Sequence, residues 1–254
     1  MNAPVDVIGR VGAVLRALAA HEPGGTTTST IGREAGLARP TTHRLLSSLQ
    51  AEGLVDRDEA GRWVLGPELY LLGAAASTRY DVTAIAQPVV RRLSVATGES
   101  AFFSTRRGDE TICLVREDGS FPIRSHVLYE GIRFPLGVAS AGLAVLAFLP
   151  DPEIDDFLRR TDLTTSYGET HAADQVRVRV AETRSTGYAI NPGLLVEGSW
   201  GMGAAVFDAA ERPLGALSLT GIERRLDEPR RRELGPLLLH EAHELSKVLQ
   251  ASRR

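Results

Sequence analysis

The chain has 254 residues, 43% of them hydrophobic, and a formal net charge of -3, which allows two domains that each bury a core. The mild acidity excludes a generic polycation, so affinity for nucleic acid has to come from a local cluster such as Arg33, Arg39 and Arg44. A single cysteine, Cys113, excludes an intramolecular disulfide and a multi-cysteine zinc site, and its apolar surroundings from 111 to 115 mark it as a buried strand thiol. The longest apolar runs are short and broken by Gly, Pro or charge, so no signal peptide or membrane span is expected and the cytoplasm is the default compartment.

In chain order, the first strong pattern is a pair of short helices joined at Gly36. Thr28 or Ser29 caps the first helix, which buries Ile31 and Ala35, and Gly36 supplies the positive φ of a sharp turn. The second begins at Pro40, where the missing N–H leaves nothing unsatisfied. On a wheel of about 100° per residue, Thr42, Leu45, Leu46 and Leu49 form an apolar stripe, while Pro40, His43, Arg44 and Ser47 point away from it. A donor-rich helix of this kind suits guanine edges and phosphate oxygens in the major groove of double-stranded operator DNA. Its reading face is assigned to Arg39, Pro40, Thr41, Thr42, His43, Arg44 and Ser47. Residues 52–66 then read as strand, turn, strand, which completes a winged helix-turn-helix over 1–66. Arg57 and Arg62 flank the wing tip, as contacts to phosphate or the minor groove or, equally, as solvated hairpin charges.

Residues 67–78 have Leu69, Leu72, Ala75 and Ala76 at helical spacing, with Tyr70 and Leu71 around the side. That is more apolar surface than an isolated helix exposes, so 67–80 is expected to be a linker helix and a dimer contact. A second domain, 81–254, reads as a helix (82–97), strands (100–105, 110–116, 122–127) and helices (140–149, 152–158, 174–185). Strands near 188–191, 200–208 and 213–220 and a final helix (228–249) complete it. Adjacent strands flanked by segregated helices indicate an α+β two-domain chain.

Phe134 to Ala139 leads into the small-residue helix start Ser140-Ala141-Gly142, whose unpaired N–H groups suit a carboxylate; tight helix-to-sheet packing explains the same residues equally well. Two enzyme readings fare poorly. Ser140, His126 and Asp208 lack a nucleophile elbow, and a zinc site from His171 and the pair His240 and His243 with Glu241 or Glu244 fares little better, since the latter group lies on a terminal helix whose charged face is more simply solvated. No catalytic residue, metal or cofactor is expected, which leaves a protein-binding scaffold as the other alternative.

The segments GLARPTTHRLLSSLQAEGLV (36–55), GIRFPLGVASAGLAVLAFL (131–149), STGYAIN (185–191) and GMGAAVFDAAERPLGALSLTG (201–221), in this order and spacing, resemble the IclR family of bacterial transcriptional regulators over nearly the whole chain. The resemblance implies a C-terminal GAF-like α/β effector-binding domain, a homodimer or homotetramer, and control of a catabolic operon by a small-molecule effector. The pocket it implies falls on Phe134, Ser140, Ala141, Asn191, Gly201, Ser218 and Thr220, with Trp200 nearby and Ile123 and His126 within reach. Such a lining suits a small organic acid, or an aromatic or hydroxylated compound. Leu143 stands where the family pattern most often has lysine.

Overall fold

The computed structural model describes residues 6–77, 82–123 and 127–252, and the chain divides into two units, 1–80 and 81–254. The first contains α1 (Val7–Ala19), α2 (Thr28–Glu34), α3 (Arg39–Ala51), an antiparallel pair β1 (Val55–Arg57) and β2 (Trp63–Leu65), and α4 (Pro67–Ser77). Helix α1 lies outside the expected elements. Its apolar residues Val11, Val14, Leu15 and Leu18 recur at helical spacing, and Val14 and Leu18 are fully buried against Ile31, Leu46, Leu49, Val55 and Trp63.

Helix α2 is capped by Thr27 rather than Thr28 or Ser29: its hydroxyl accepts the Thr30 amide N–H at 3.2 Å. Thr28 is thereby free to accept the Trp63 indole N–H at 2.9 Å. Gly36 turns the chain at φ 65°. Helix α3 starts at Arg39, with Ala38 as its cap and Pro40 one place inside. Where α2 crosses α3, a Cβ on Gly32 would lie 2.9 Å from Thr42 Oγ1. Thr42 is fully buried, and its hydroxyl donates to Ala38 O at 3.1 Å. Its assignment to the reading face is therefore corrected: the residue packs the helix crossing and has no surface to offer a base.

The second unit is built on a six-stranded antiparallel sheet of order β5-β4-β3-β8-β7-β6. Its strands are β3 (Ser100–Arg107), β4 (Glu110–Glu117), β5 (Arg133–Pro135), β6 (Ala189–Pro192), β7 (Ser199–Phe207) and β8 (Pro213–Ile222). The helices are α5 (Val82–Thr97), α6 (Ser140–Ala147), α7 (Asp151–Arg160), the short α8 (Thr164–Tyr167), α9 (Ala173–Thr186) and α10 (Glu228–Ser252). Helices α5 and α10 cover one sheet face through Val89, Leu93, Leu238 and Leu245, which meet Leu217 and Leu219. Helices α6, α7 and α9 form a second core around Leu143, Leu146, Phe157 and Val176. Cys113 is 2% exposed, and burial pushes its thiol up to about 12.

The expected strand at 122–127 is corrected. Residues 121–123 and 127 are bends, and 124–126 lie outside the described residues. The Phe121 amide N–H donates to Gly98 O at 3.2 Å and its ring lies 4.5 Å beneath the Arg225 guanidinium, which draws the chain to the end of the sheet instead of alongside β4. The neighbour of β4 is β5, three residues long, and the preceding Gly131 and Ile132 exchange hydrogen bonds with Cys113 at 2.8 and 3.0 Å.

Every residue of α6 is buried, and its first turn rests on the backbone of β7. A Cβ at Gly203 would lie 2.5 Å from Ser140 O, and one at Gly201 2.9 Å from Ser140 Oγ. Replacing Gly203 with alanine is expected to lower stability by about 1–3 kcal/mol, through overpacking at this contact, in a urea titration. An unchanged midpoint would mean that α6 shifts freely.

Candidate functional site

On α3, Arg39, Pro40, His43, Arg44 and Ser47 are exposed and Thr41 is half-buried. The side chains of Arg39, His43, Arg44 and Ser47 have no hydrogen-bond or ion-pair partner among the described residues, so their donors are available to an outside group. The helix has no side-chain cap and no acid in its first turn, which leaves the positive end of its dipole open to an anion.

The wing arginines are placed differently. Arg57 donates to Gly61 O at 2.9 Å and its guanidinium lies 4.0 Å from the Trp63 ring centroid. Arg62 holds Asp58 through Nε and Nη2, both at 2.8 Å. Its backbone N–H and guanidinium together keep the Asp58 carboxyl below the usual carboxylate range. Both arginines are exposed, yet their donors are turned inward to shape the hairpin, and Trp63 fastens it to α2. The i,i+4 spacing of Asp58 and Arg62 was the signal for this arrangement.

In the second unit, Ser140, Asn191, Trp200, Gly201 and Thr220 line one small cavity together with Val127, Leu128, Ala139, Leu195 and Ser199. Its volume is about 20 Å³, room for roughly one water. Ser218, two residues before Thr220 on β8 and on the same face, is fully buried. The hydroxyls of Ser218 and Thr220 are buried without a partner among the described residues, two acceptors and donors held on the sheet floor. Phe134 and Ala141 stand apart from this cavity: Ala141 packs in the second core, and Phe134 meets Tyr167 edge-on at 6.5 Å. Ile123 is 60% exposed and outside the lining, and His126 lies outside the described residues.

The Asn191 amide is already committed. Its Nδ2 donates to Val138 O at 2.8 Å and its Oδ1 accepts the Leu194 N–H at 2.9 Å, so it pins the lead into α6. Trp200 lies 4.7 Å beneath the Arg231 guanidinium at the start of α10. His171 is 1% exposed, with Nδ1 3.0 Å from Tyr167 O; burial pushes its pKa down, as for a neutral packing histidine. Asp208 accepts the amides of Ala210 and Arg212 in the β7–β8 turn. The described residues contain no cluster of His, Cys, Asp or Glu able to hold a metal, and no helix long and apolar enough to cross a membrane.

The family model for the IclR helix-turn-helix domain matches residues 7–59, and that for the bacterial transcriptional regulator IclR C-terminal domain matches 74–247. The chain belongs to the IclR family. The transcriptional repressor IclR of Escherichia coli (strain K12) is 26% identical over 234 residues, 89% of this chain and 84% of that protein. The HTH-type transcriptional repressor AllR of the same strain is 29% identical over 229 residues, again 89% and 84%. Among solved structures, the Thermotoga maritima IclR matches with a TM-score of 0.72 at 23% identity, covering 96% of this chain and 98% of that one. An IclR homolog from Microbacterium hydrocarbonoxydans, complexed with 4-hydroxybenzoate, matches with a TM-score of 0.78 at 22% identity and 96% and 99% coverage. Identities this low establish the fold. The named relatives are regulators and repressors, so this IclR-family chain is a transcriptional regulator and not an enzyme. Leu143, where the resemblance led lysine to be expected, is 2% exposed and packs inside the second core.

Asn191→Ala strips partners from Val138 O and Leu194 N, and a loss of about 2 kcal/mol is expected from thermal or urea unfolding. A variant as stable as the parent would assign Asn191 to the ligand alone.

Proposed function

We propose that this regulator represses a catabolic operon from the cytoplasm. The α3 helices of two copies enter successive major grooves of its operator, and a small organic acid or hydroxylated aromatic metabolite beneath α6 alters that grip. The observation that carries the DNA reading is the unpartnered donor face of α3 within a matched helix-turn-helix domain. The repressor reading draws on relatives named as repressors, among them the acetate operon repressor of Salmonella typhimurium. Tyr70, Leu71 and Leu72 of α4, exposed at 78%, 57% and 53%, are the surface we assign to pairing two copies.

The effector reading rests on Ser218 and Thr220, whose unpaired hydroxyls lie beside the open first turn of α6, and the bound 4-hydroxybenzoate of the Microbacterium relative supports that ligand class. Among the described residues no cationic side chain lines the cavity, and the hydroxyls and backbone N–H groups there are the ones we assign to the polar end of the ligand. A cavity of about 20 Å³ does not admit an organic acid, so binding selects a state in which Leu128, Leu195 or Trp200 has moved. Only a ligand that prefers one arrangement of the two copies shifts DNA affinity, which places the differential contacts in those movable walls.

Fluorescence anisotropy on DNA from the gene's own upstream region tests the first half. A preference over scrambled DNA of about 10³ or more, persisting at higher salt, is expected. Arg44→Ala should weaken cognate binding about tenfold or more, while Arg57→Ala, which removes a hairpin staple, should leave the salt slope unchanged. Equal, salt-erased binding to both fragments overturns the operator assignment. For the pocket, Thr220→Val removes an unpaired hydroxyl at constant shape, so the ligand-free thermal midpoint is expected to hold or rise while the response to 4-hydroxybenzoate and related acids falls about tenfold. A lowered midpoint with an intact response would make Thr220 a structural group.

A further inference from the structure

Helix α6 is gripped at both ends by one continuous piece of chain. At its leading end, Asn191 of β6 donates to Val138 O at 2.8 Å. At its trailing end, Arg184 in the last turn of α9 donates through Nε to Ala147 O at 2.5 Å and through Nη2 to Leu149 O at 3.1 Å. Its third nitrogen, Nη1, lies 2.8 Å from Asp151 at the start of α7. The whole guanidinium is engaged, two nitrogens of it on the end of a single helix. Between Arg184 and Asn191 the chain reverses at Gly187, where φ is 85°, so α9 and β6 meet α6 like the two jaws of a caliper.

The trailing end of α6 needs such a partner. Its own last turn contains no basic residue. Val145 O and Leu146 O accept the amides of Phe148 and Leu149, whereas Ala147 O and Leu149 O meet a guanidinium supplied by α9. A cation here also complements the negative pole of the helix dipole. The opposite pole has no side-chain cap at Ala139 and lies at the cavity. A fully buried helix about 12 Å long moves as a unit, so a shift at Ala147 appears at Ser140. Gripped in this way, α6 is the fixed wall of the cavity against which Leu128, Leu195 and Trp200 move. Arg177, about two turns earlier on α9, provides a contrast. It pairs with Asp155 of α7 and borders the same open hollow as Arg184, yet makes no bond to α6 among the described residues.

We propose, resting on the effector reading of the cavity, that Arg184 is a positioning residue of that site. It lies outside the lining and touches no ligand, but it sets where the first turn of α6 stands over Thr220. A helix released at its trailing end has to be ordered again each time a ligand binds, and that cost comes out of affinity.

Amide hydrogen exchange of the ligand-free full chain, paired with calorimetric titration of 4-hydroxybenzoate and related acids, tests the assignment. Arg184→Ala should speed exchange along α6 as far back as the Leu143 amide, which bonds Ala139 O in the first turn, and should weaken ligand binding about tenfold or more. Arg177→Ala should do neither. Arg184→Lys keeps the charge but has no fork to span two carbonyls, so it should recover the thermal midpoint more fully than the affinity. The lysine variant also decides the matter where the alanine variant fails to fold. Affinity equal to the parent's in both Arg184 variants overturns the assignment and leaves Arg184 a local helix cap. Weakened binding with exchange unchanged at Leu143 overturns the route through α6. A parent that binds none of the acids, with exchange still spreading to Leu143, overturns the effector reading and leaves the grip on α6 standing.

Discussion

The second unit depends on one close approach, the first turn of α6 against the backbone of β7. Only a strand without side chains at 201 and 203 lets Ser140 come so near, and Gly201 and Gly203 provide it. The consequence runs in two directions. Toward the core, it lets a helix of eight residues, every one buried, occupy the middle of the second cluster. Toward the sheet, it sets the open N–H groups of that turn beside the hydroxyls of β8. Tight packing at Ser140 and the cavity at its edge have one cause, because the same glycines create both.

The DNA-reading unit has a comparable centre in Trp63. Its buried ring joins the core, its N–H holds Thr28 at the start of α2, and its outer face supports Arg57. Wing and helix pair are therefore one rigid piece. Arginines of identical charge divide into two kinds on this piece: those of α3 have no partner among the described residues, and those of the wing are spent on the hairpin. Charge alone did not separate them, since what distinguishes Arg44 from Arg62 is whether an acid lies one helical turn or one hairpin width away.

Much of this was legible in the sequence because the signals were local. Gly36, Pro40 and the stripe of Leu45, Leu46 and Leu49 determine the helix pair within a few residues, and 82–97 and 213–220 carry periodicities that only one structure satisfies. Misreadings arose where a distant partner decided. The alternation from Pro122 onward resembles a strand, but Phe121 is drawn away by Arg225, and the true edge strand is three residues ending in proline. Thr42 is a hydroxyl on an apolar stripe, and only Gly32 across the helix crossing reveals which property prevails. The amide of Asn191 lines the cavity as expected, but its bond to Val138, 53 residues earlier, has no signal in the local sequence. Helix α1 was detectable, since Val11, Val14 and Leu18 share one face.

Both margins of the sheet are short strands ending in proline, Pro135 on one side and Pro192 on the other. Proline offers no N–H to an incoming strand. During synthesis all six strands leave the ribosome before α10, so the face bearing Met202, Val206, Leu217 and Leu219 is uncovered for the time that its final helix takes to arrive. A nascent sheet with greasy skin and open borders would recruit its neighbours on the same polysome. With the borders sealed, that interval exposes a surface that can still be covered by its own chain, and no template for fibre growth.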